Sequence, residues 1–452
     1  MFMKIIVFDD DPTGSQTVND CLLLLKWDYQ TLLKGLQSRS NILFILANTR
    51  ALSEIEAKQR LNEICQALLD VFCKHGYKKE DFIFVSRGDS TLRGHNYLEP
   101  YLLNKILGPF DATFHVPAFI EGDRVTIDGK HFVNDVPAHK TIYAKDKVFG
   151  YETNDIKEIL HIKSKSMILF EDIKNLYLSD LDGLEMKEHN EVLNKIYSLK
   201  NNIQVIVDAK EYKHLDKIAC LVKFSFRKKR FLYRTAASFL TAVSGSKGGI
   251  RSNLLFSTPK RRKSNNQMMK GLFVVGSFVQ NTNEQLKKIL EIESCKPLEL
   301  DVFQFYRINF LQGNDEDLVK FKKSLINKVR ICLKNSYTPV LFTSRNEVLL
   351  DNHGDQIFFY NSLAKFIAEL VGELRYEIRY LVSKGGITSN TILSHGLQLD
   401  SVYLKGQILK GVSMVEAKLG NSEAVLPVVT FPGNIGNKYS LLKLLEILDK
   451  TY

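Results

Sequence analysis

Short apolar runs alternating with amphipathic stretches constrain this chain more than any other feature. Runs at residues 4–8 (KIIVF), 21–27, 42–47, 82–85, 113–116 and 203–207 have the length and β-favouring side chains of buried strands. One of the helical stretches between them opens on Ser53 with Glu56 three residues on, a capping box, and carries Ile55, Leu61, Ile64, Leu68 and Leu69. Such alternation predicts an α/β protein with mostly parallel sheets flanked by helices. At 452 residues the chain exceeds one ordinary core, so two domains are expected. Residues 257–270 (STPKRRKSNNQMMK) have one Pro, five Lys or Arg and little apolar periodicity, and read as an exposed linker. The pattern restarts at 272–276 (LFVVG), where Thr282 with Gln285 is expected to cap the next helix. Further strands are expected at 339–343, 379–383, 401–404 and 425–431, with a long helix over 357–374. The boundaries that follow are 1–256 for the first α/β domain and 271–452 for the second. Residues 246–253 (SKGGIRSN) nearly repeat 383–390 (SKGGITSN), but the flanking strands do not match, so no duplication is inferred.

The densest chemistry sits at the end of the first predicted strand, in residues 8–16 (FDDDPTGSQ). Adjacent carboxylates repel, so folding alone gives no reason to crowd three at the end of a core strand. In open α/β sheets that place, beyond the carboxyl ends of the strands, is where ligands bind. A second concentration, SRGDSTLRGH at residues 86–95, follows the 82–85 strand. There Arg93 has the forked donors that grip a carboxylate, while Ser90, Thr91 and Asp89 suit sugar hydroxyls. The plain structural alternative is that Asp89 and Arg93 pair only with each other. A third stretch, 116–133, gathers Gly122, Arg124, Gly129 and His131 in loop-like context, with no local partner for His131. Asp146 and Asp208 are weaker candidates, the latter closing the 203–207 strand.

The second half offers glycine turns instead. Gly276-Ser277, Gly385-Gly386-Ile387-Thr388-Ser389 and Pro432-Gly433-Asn434-Ile435-Gly436 each follow a predicted strand. Glycine lets backbone N–H groups approach phosphate oxygens closely, and Thr388 or Ser389 is placed to cap a helix there. Glycine also ends strands for conformational reasons alone. Neither GxxxxGK[ST] nor GxGxxG is present, so a Walker-type or Rossmann site is not supported.

The net charge of +11, with basic runs at 227–230 and 260–263, invites a nucleic-acid reading. No zinc-finger, helix-turn-helix or RNA-binding signature accompanies those runs, and a positive surface equally steers a small anion. No apolar run approaches the roughly 20 residues that cross a bilayer, and the N-terminus lacks a signal-peptide pattern. Six cysteines, at 21, 65, 73, 220, 295 and 332, have no metal-binding spacing and suit reduced thiols in a cytoplasm.

Taken in order, the motifs resemble those of the four-carbon acid sugar kinase family. Asp10-Asp11-Pro12-Thr13-Gly14 is similar to its Asp-Asp-x-Thr-Gly, with Pro12 where many members have Leu. The stretch from Asp89 to Gly94 is similar to its Asp-Ser-Thr-Leu-Arg-Gly, and Pro117-Ala118-Phe119 with Arg124 to a further loop. Gly276-Ser277, Ser344-Arg345, Gly385 to Ser389 and Phe431 to Asn434 resemble its later motifs. The resemblance implies an ATP-dependent kinase acting on threonate, erythronate or a 3-oxo-tetronate, with magnesium (Mg2+) as the usual companion of the phosphates. It implies an acid site in the first domain, ATP on the second and transfer across the cleft between them. On that implication Asp11 or Asp10 takes the acceptor proton. Asp10, Asp11, Asp89, Ser90, Thr91, Arg93 and Arg124 bind the acid. Ser277, Gly385, Gly386, Ile387, Thr388, Gly433 and Asn434 bind the nucleotide. The expected partners are the sugar acid and ATP, with no membrane and no nucleic acid, and a homo-oligomer is compatible.

Two rival readings remain at this level. Asp9 to Thr13 also fits the DxDxT pattern of haloacid-dehalogenase-type phosphatases, with Asp9 as nucleophile and Asp11 as general acid. The later Lys and acidic motifs of that family are not found. The other rival is a non-enzymatic protein that binds sugar acids or nucleic acid.

Overall fold

Buried β-branched and aromatic side chains set the strands of the computed structural model, which describes all residues except 1–2, 13, 15–16, 183–185, 247–268, 314, 347, 351, 421–423 and 451–452. The chain forms two units, residues 1–248 and 249–452. Of the expected linker, residues 257–268 lie outside the described residues.

The first unit holds β1 (Lys4–Asp9), β2 (Cys21–Leu24), β3 (Ile42–Leu46), β4 (Phe82–Arg87), β5 (Ala112–Val116), β6 (Arg124–Ile127), β7 (Lys130–Val133), β8 (Val136–Pro137), β9 (Ile173–Leu176), β10 (Ile203–Val207) and β11 (Phe231–Thr235). Its main sheet runs β2-β3-β1-β4-β11-β5-β10-β9, and every neighbouring pair is parallel. Parallel strands buried on both faces read as unbroken apolar runs, which is why these were visible in the sequence. The chain winds outward to β2 and back to β3, then crosses to β4 on the other side of β1. That reversal makes the β1/β4 border a switch point, where crevices open at the strand ends.

Helix Glu54–His75 packs on this sheet. Its Ser53–Glu56 capping box is formed, Gly76 (φ 68°) ends it, and Leu61, Ile64 and Leu68 face the core with Phe8, Ile45 and Phe84. Each such side chain contributes about 1.5–3 kcal/mol on full burial. Ile55, in the first turn, stays 73% exposed. The 116–133 stretch, read as loop-like, contains β6 and β7, which pair antiparallel and form a small sheet with β8 just beyond it.

The second unit holds β12 (Leu272–Val275), β13 (Cys295–Leu300), β14 (Thr338–Thr343), β15 (Leu381–Lys384), β16 (Ser401–Leu409), β17 (Val412–Lys418) and β18 (Val425–Phe431), in the order β13-β14-β12-β15-β18-β17-β16. The first four strands repeat the winding of β1 to β4: out to an edge, back, then across the starting strand. From β13 to β18 the pairs are parallel, whereas β18-β17-β16 is antiparallel. The long helix is His353–Leu374.

Two expected caps are not caps. Helix Gln280–Leu290 starts before Thr282, whose hydroxyl donates to the Gly433 carbonyl at 3.2 Å and lies at the same distance from Ser277 Oγ. Thr388 and Ser389 lie inside helix Gly386–Thr391, and Ser389 Oγ donates to the Gly385 carbonyl at 2.8 Å.

Candidate active site

In the first unit the polar residues gather where β1 and β4 end. The Asp9 carbonyl accepts from the backbone N–H groups of Ala47 (2.9 Å) and Asn48 (3.0 Å), and the Asp10 carbonyl accepts from Arg50 N–H (3.2 Å). These bonds pin the turn after β3 beside the acids and deliver the Arg50 side chain to them. Its guanidinium pairs with Asp11, and its Nη1 lies 3.3 Å from Asp89. Arg87, the last residue of β4, places Nη1 3.0 Å from Asp10 and 3.5 Å from Asp9. The crowding of acids at this strand end is thus matched by arginines from two other strand ends. Gly14 is required by close approach, since a Cβ there would lie 1.9 Å from Asp9 Oδ1.

Asp89 and Arg93 do pair, through Arg93 Nε at 2.8 Å, while Arg93 Nη1 is 3.9 Å from Asp146. Burial pulls the Asp89 carboxyl up, but Arg50, Arg93 and a Thr91 hydroxyl bond outweigh it and hold it well below its ordinary range. The small sheet backs this loop. Arg124 Nη1 donates to Ser90 Oγ at 3.0 Å, and Tyr151 Oη donates to the Thr91 carbonyl at 2.7 Å. Burial lowers the His131 imidazole to about 4, so it is neutral at physiological pH. The neutral ring donates from Nε2 to the Ser90 carbonyl (2.7 Å), and Nδ1 accepts from Thr126 Oγ1 (3.0 Å). His131 therefore has a structural task. Asp208 likewise serves the 128–129 turn, accepting from both backbone N–H groups at 2.8 and 2.9 Å.

Asp10, Asp11, Asp89, Ser90, Thr91, Arg93 and Arg124 thus share one neighbourhood. The sequence reading missed Arg50, Arg87 and Arg234. Arg234 lies on β11, which was not expected as a strand. It binds Glu99 (2.5 Å) and Ser86 (2.7 Å) and reaches within 4.0 Å of Asp10. An Arg following an apolar run and preceding a turn is the only signal that would have found Arg87.

Asp9 is fully buried with Oδ2 unpartnered among the described residues. Burial, only partly offset by Arg87, pushes its carboxyl up to about 8 from an ordinary 3.8. A raised carboxyl stabilises the fold fully below the unfolded value and loses that contribution as pH rises through the folded one. The stability difference between wild type and Asp9→Asn, measured by denaturant titration, is expected to shrink from acidic pH up to about pH 8 and then level off. A pH-independent difference would refute a protonated Asp9.

In the second unit three turns converge. A Cβ at Gly276 would lie 2.3 Å from Thr388 Oγ1, and one at Gly433 2.8 Å from Ser277 Oγ. Gly385 adopts φ +123°, a conformation suited to glycine. Together they help to line a cavity of about 290 Å3, whose walls include Gly276, Ser277, Gly385, Gly386, Ile387, Thr388 and Gly433. Phe278, Tyr360, Leu363 and Ile367 also line it. Asn434 is exposed and is not part of this wall. Arg345 ties the ends of β14 and β12 together, donating to the carbonyls of Thr343 (2.6 Å) and Ser277 (2.8 Å). The wall brings the Ser277 and Thr388 hydroxyls and close-approaching glycine backbone beside aromatic and aliphatic side chains, a combination suited to phosphates and an aromatic base.

Residues 5–243 match the model of a sugar-binding N-terminal domain, and residues 272–441 that of a nucleotide-binding C-terminal domain. The chain belongs to the four-carbon acid sugar kinase family. A relative of this family member is the D-erythronate kinase of Heliobacterium modesticaldum, 25% identical over 294 residues. That match covers 63% of this chain and 60% of the relative's length. Among solved structures, a Haemophilus influenzae protein superposes with a TM-score of 0.65 at 18% identity, covering 99% of both chains. A Salmonella typhimurium protein described as a putative tRNA synthase gives 0.69 at 14%, covering 98% of this chain and 99% of its own. These two likenesses establish the fold of the kinase-family chain.

Among the described residues of this family member, no three His, Cys, Asp or Glu cluster to hold a metal ion, and no helix is long and apolar enough to cross a membrane. Its 227–230 basic run is largely spent internally. Arg227 lies 3.5 Å from Asp81, Lys229 3.1 Å from Asp111, and Arg230 donates to the Leu107 carbonyl at 2.9 Å.

Proposed function

We propose that the protein is an ATP-dependent kinase that phosphorylates a hydroxyl of a four-carbon sugar acid of the threonate, erythronate or 3-oxo-tetronate type. The observation that carries the reading is one chain holding both halves of the chemistry. An arginine–carboxylate site stands at the β1/β4 ends, in the part matching a sugar-binding domain. A glycine-walled cavity stands at the β12/β15/β18 ends, in the part matching a nucleotide-binding domain.

In this reading residues 1–256 take the acid and 271–452 the nucleotide, joined by the 257–270 linker, in the cytoplasm. Arg93 binds the substrate carboxylate, with Ser90, Thr91 and Arg124 around its hydroxyls. Asp11, or Asp10, accepts the proton of the acceptor hydroxyl while that oxygen bonds to the γ-phosphorus and the bond to ADP breaks. Ser277, Thr388 and the glycine turns at 276, 385–386 and 433 hold the phosphates, with the Phe278 and Tyr360 side of the cavity taking the base. Asn434 contributes from the rim. Magnesium bound with the nucleotide would supply charge neutralisation at the phosphates. Transfer requires the two units to close on each other.

The phosphatase reading asks Asp9 to attack phosphorus. Its full burial and protonated state at neutral pH oppose that role. The test is ATP-dependent release of ADP with a panel of threonates, erythronates and 3-oxo-tetronates. ADP release stimulated by at least one of them is expected. None across the panel would end the kinase reading, and ATP-independent phosphate release from a generic phosphoester would favour the phosphatase.

A further inference from the structure

The end of β15 carries a buried lysine that the proposed chemistry leaves without a role. Lys384 is 0% exposed, and among the described residues no carboxylate lies within ion-pair reach of it. Its Nζ donates to the Pro432 carbonyl at 2.7 Å and to the Ile435 carbonyl at 3.3 Å, and stands 3.7 Å from the centre of the Phe431 ring. The next residue, Gly385, donates its backbone N–H to the Phe431 carbonyl at 2.8 Å. One side chain therefore grips both ends of the turn that contains Gly433, directly from the turn that contains Gly385. Both glycines line the 290 Å3 cavity.

A buried ammonium without a counter-ion is costly, and an alanine or methionine would fill a strand end at no such cost. The neighbours of Lys384 bring no charge to offset this. The flanking strands β12 and β18, the 432–436 turn and helix Gly386–Thr391 contain no titratable side chain. Helix Gln280–Leu290 reaches the same turn through Gln285, which donates to the Ile435 carbonyl at 3.1 Å; its Glu284 and Lys287 are exposed and its Lys288 pairs with Glu291. Burial alone lowers the amine, to about 7.

We propose that Lys384 is a positioning residue of the nucleotide site, locking the Gly433 turn against the Gly385 turn, and that polyphosphate binding at those turns is coupled to proton uptake by its amine. The inference rests on the nucleotide reading of the second unit. Burial without a carboxylate partner favours the neutral amine. An anion bound at the adjoining turns favours its charged form, so the complex takes one proton from solvent and the ammonium then holds both carbonyls.

The test is titration calorimetry of the full chain with ADP at about pH 8, where the nucleotide's terminal phosphate is already ionised, in two buffers of different ionisation enthalpy. Wild type is expected to take up close to one proton per ADP, and its affinity should fall up to tenfold per pH unit above pH 7. Lys384→Arg, always charged, should bind with a flat pH profile and no uptake. Lys384→Met should bind about tenfold more weakly, also without uptake. A lysine of merely structural importance would lower thermal stability in the Met variant and leave proton linkage absent from wild type. ADP binding by wild type without proton uptake, or equal uptake in Lys384→Arg, overturns the proposal. Should Lys384→Met fail to fold, wild type and Lys384→Arg decide it alone. If wild type binds no nucleotide at all, the nucleotide reading itself falls, and this inference with it.

Discussion

Replacing Asp11 with Asn is expected to reduce turnover by about 10²–10⁴-fold, the range that a general base contributes. The substitution keeps the shape of the side chain and removes its charge and its capacity to take a proton. The fold should tolerate it. Asp11 is 15% exposed at its side chain, and its partner Arg50 retains Asp89 at 3.3 Å when the Asp11 charge is lost. Asp10→Asn makes a poorer test, because Asp10 is 1% exposed and bonds Arg87 at 3.0 Å, so stability and activity would fall together. The measurement is ADP release under saturating acid and ATP, alongside thermal unfolding and ADP binding. Undiminished turnover in Asp11→Asn would remove Asp11 from the base role and leave Asp10 as the candidate.

The second large effect is expected at Gly276. An added Cβ would stand 2.3 Å from Thr388 Oγ1 and 3.3 Å from the Thr388 Cβ and Cγ2. The backbone cannot retreat freely, since Gly276 N–H is bonded to the Lys384 carbonyl at 3.2 Å. Thr388 must therefore move, and with it the wall of the cavity. Gly276→Ala should weaken ADP binding by at least about tenfold, some 1.4 kcal/mol, and cost about 1–3 kcal/mol of stability. Binding of the sugar acid should survive, because its residues belong to the other unit. Adding Thr388→Ala removes the obstructing atoms and should restore part of the lost affinity, a coupling readable in a double-mutant cycle. Unchanged ADP affinity in Gly276→Ala would mean that the three turns do not form the nucleotide site.

The strands that hold both sites were legible because parallel, doubly buried strands are unbroken apolar runs. Residues 203–207 and 425–431 were read with the bounds the structure has. Local chemistry was legible too, as in the Ser53–Glu56 box, whose partners are three residues apart. Strand β11 was missed because the basic run 227–230 stands against it and only five residues follow in the strand. The cap expected of Thr282 failed because its hydroxyl is used across 151 residues, on Gly433.

The sequence by itself determined two α/β units, the acid-rich strand end at Asp9 to Asp11 and the glycine turns at 276, 385–386 and 433. Periodicity and turn chemistry act between near neighbours, so they are written locally. Only the tertiary structure decided which charges meet. Arg50, Arg87 and Arg234 are ordinary arginines in the sequence and become partners of Asp11, Asp10 and Glu99 only when strands β3 and β4 are laid on either side of β1 and β11 is laid beside β4. The same holds for Lys384, an unremarked strand-end lysine whose burial beneath the 432–435 turn leaves its amine without a counter-ion. Ion pairing and desolvation depend on what the fold brings from far along the chain, and no local pattern carries that information.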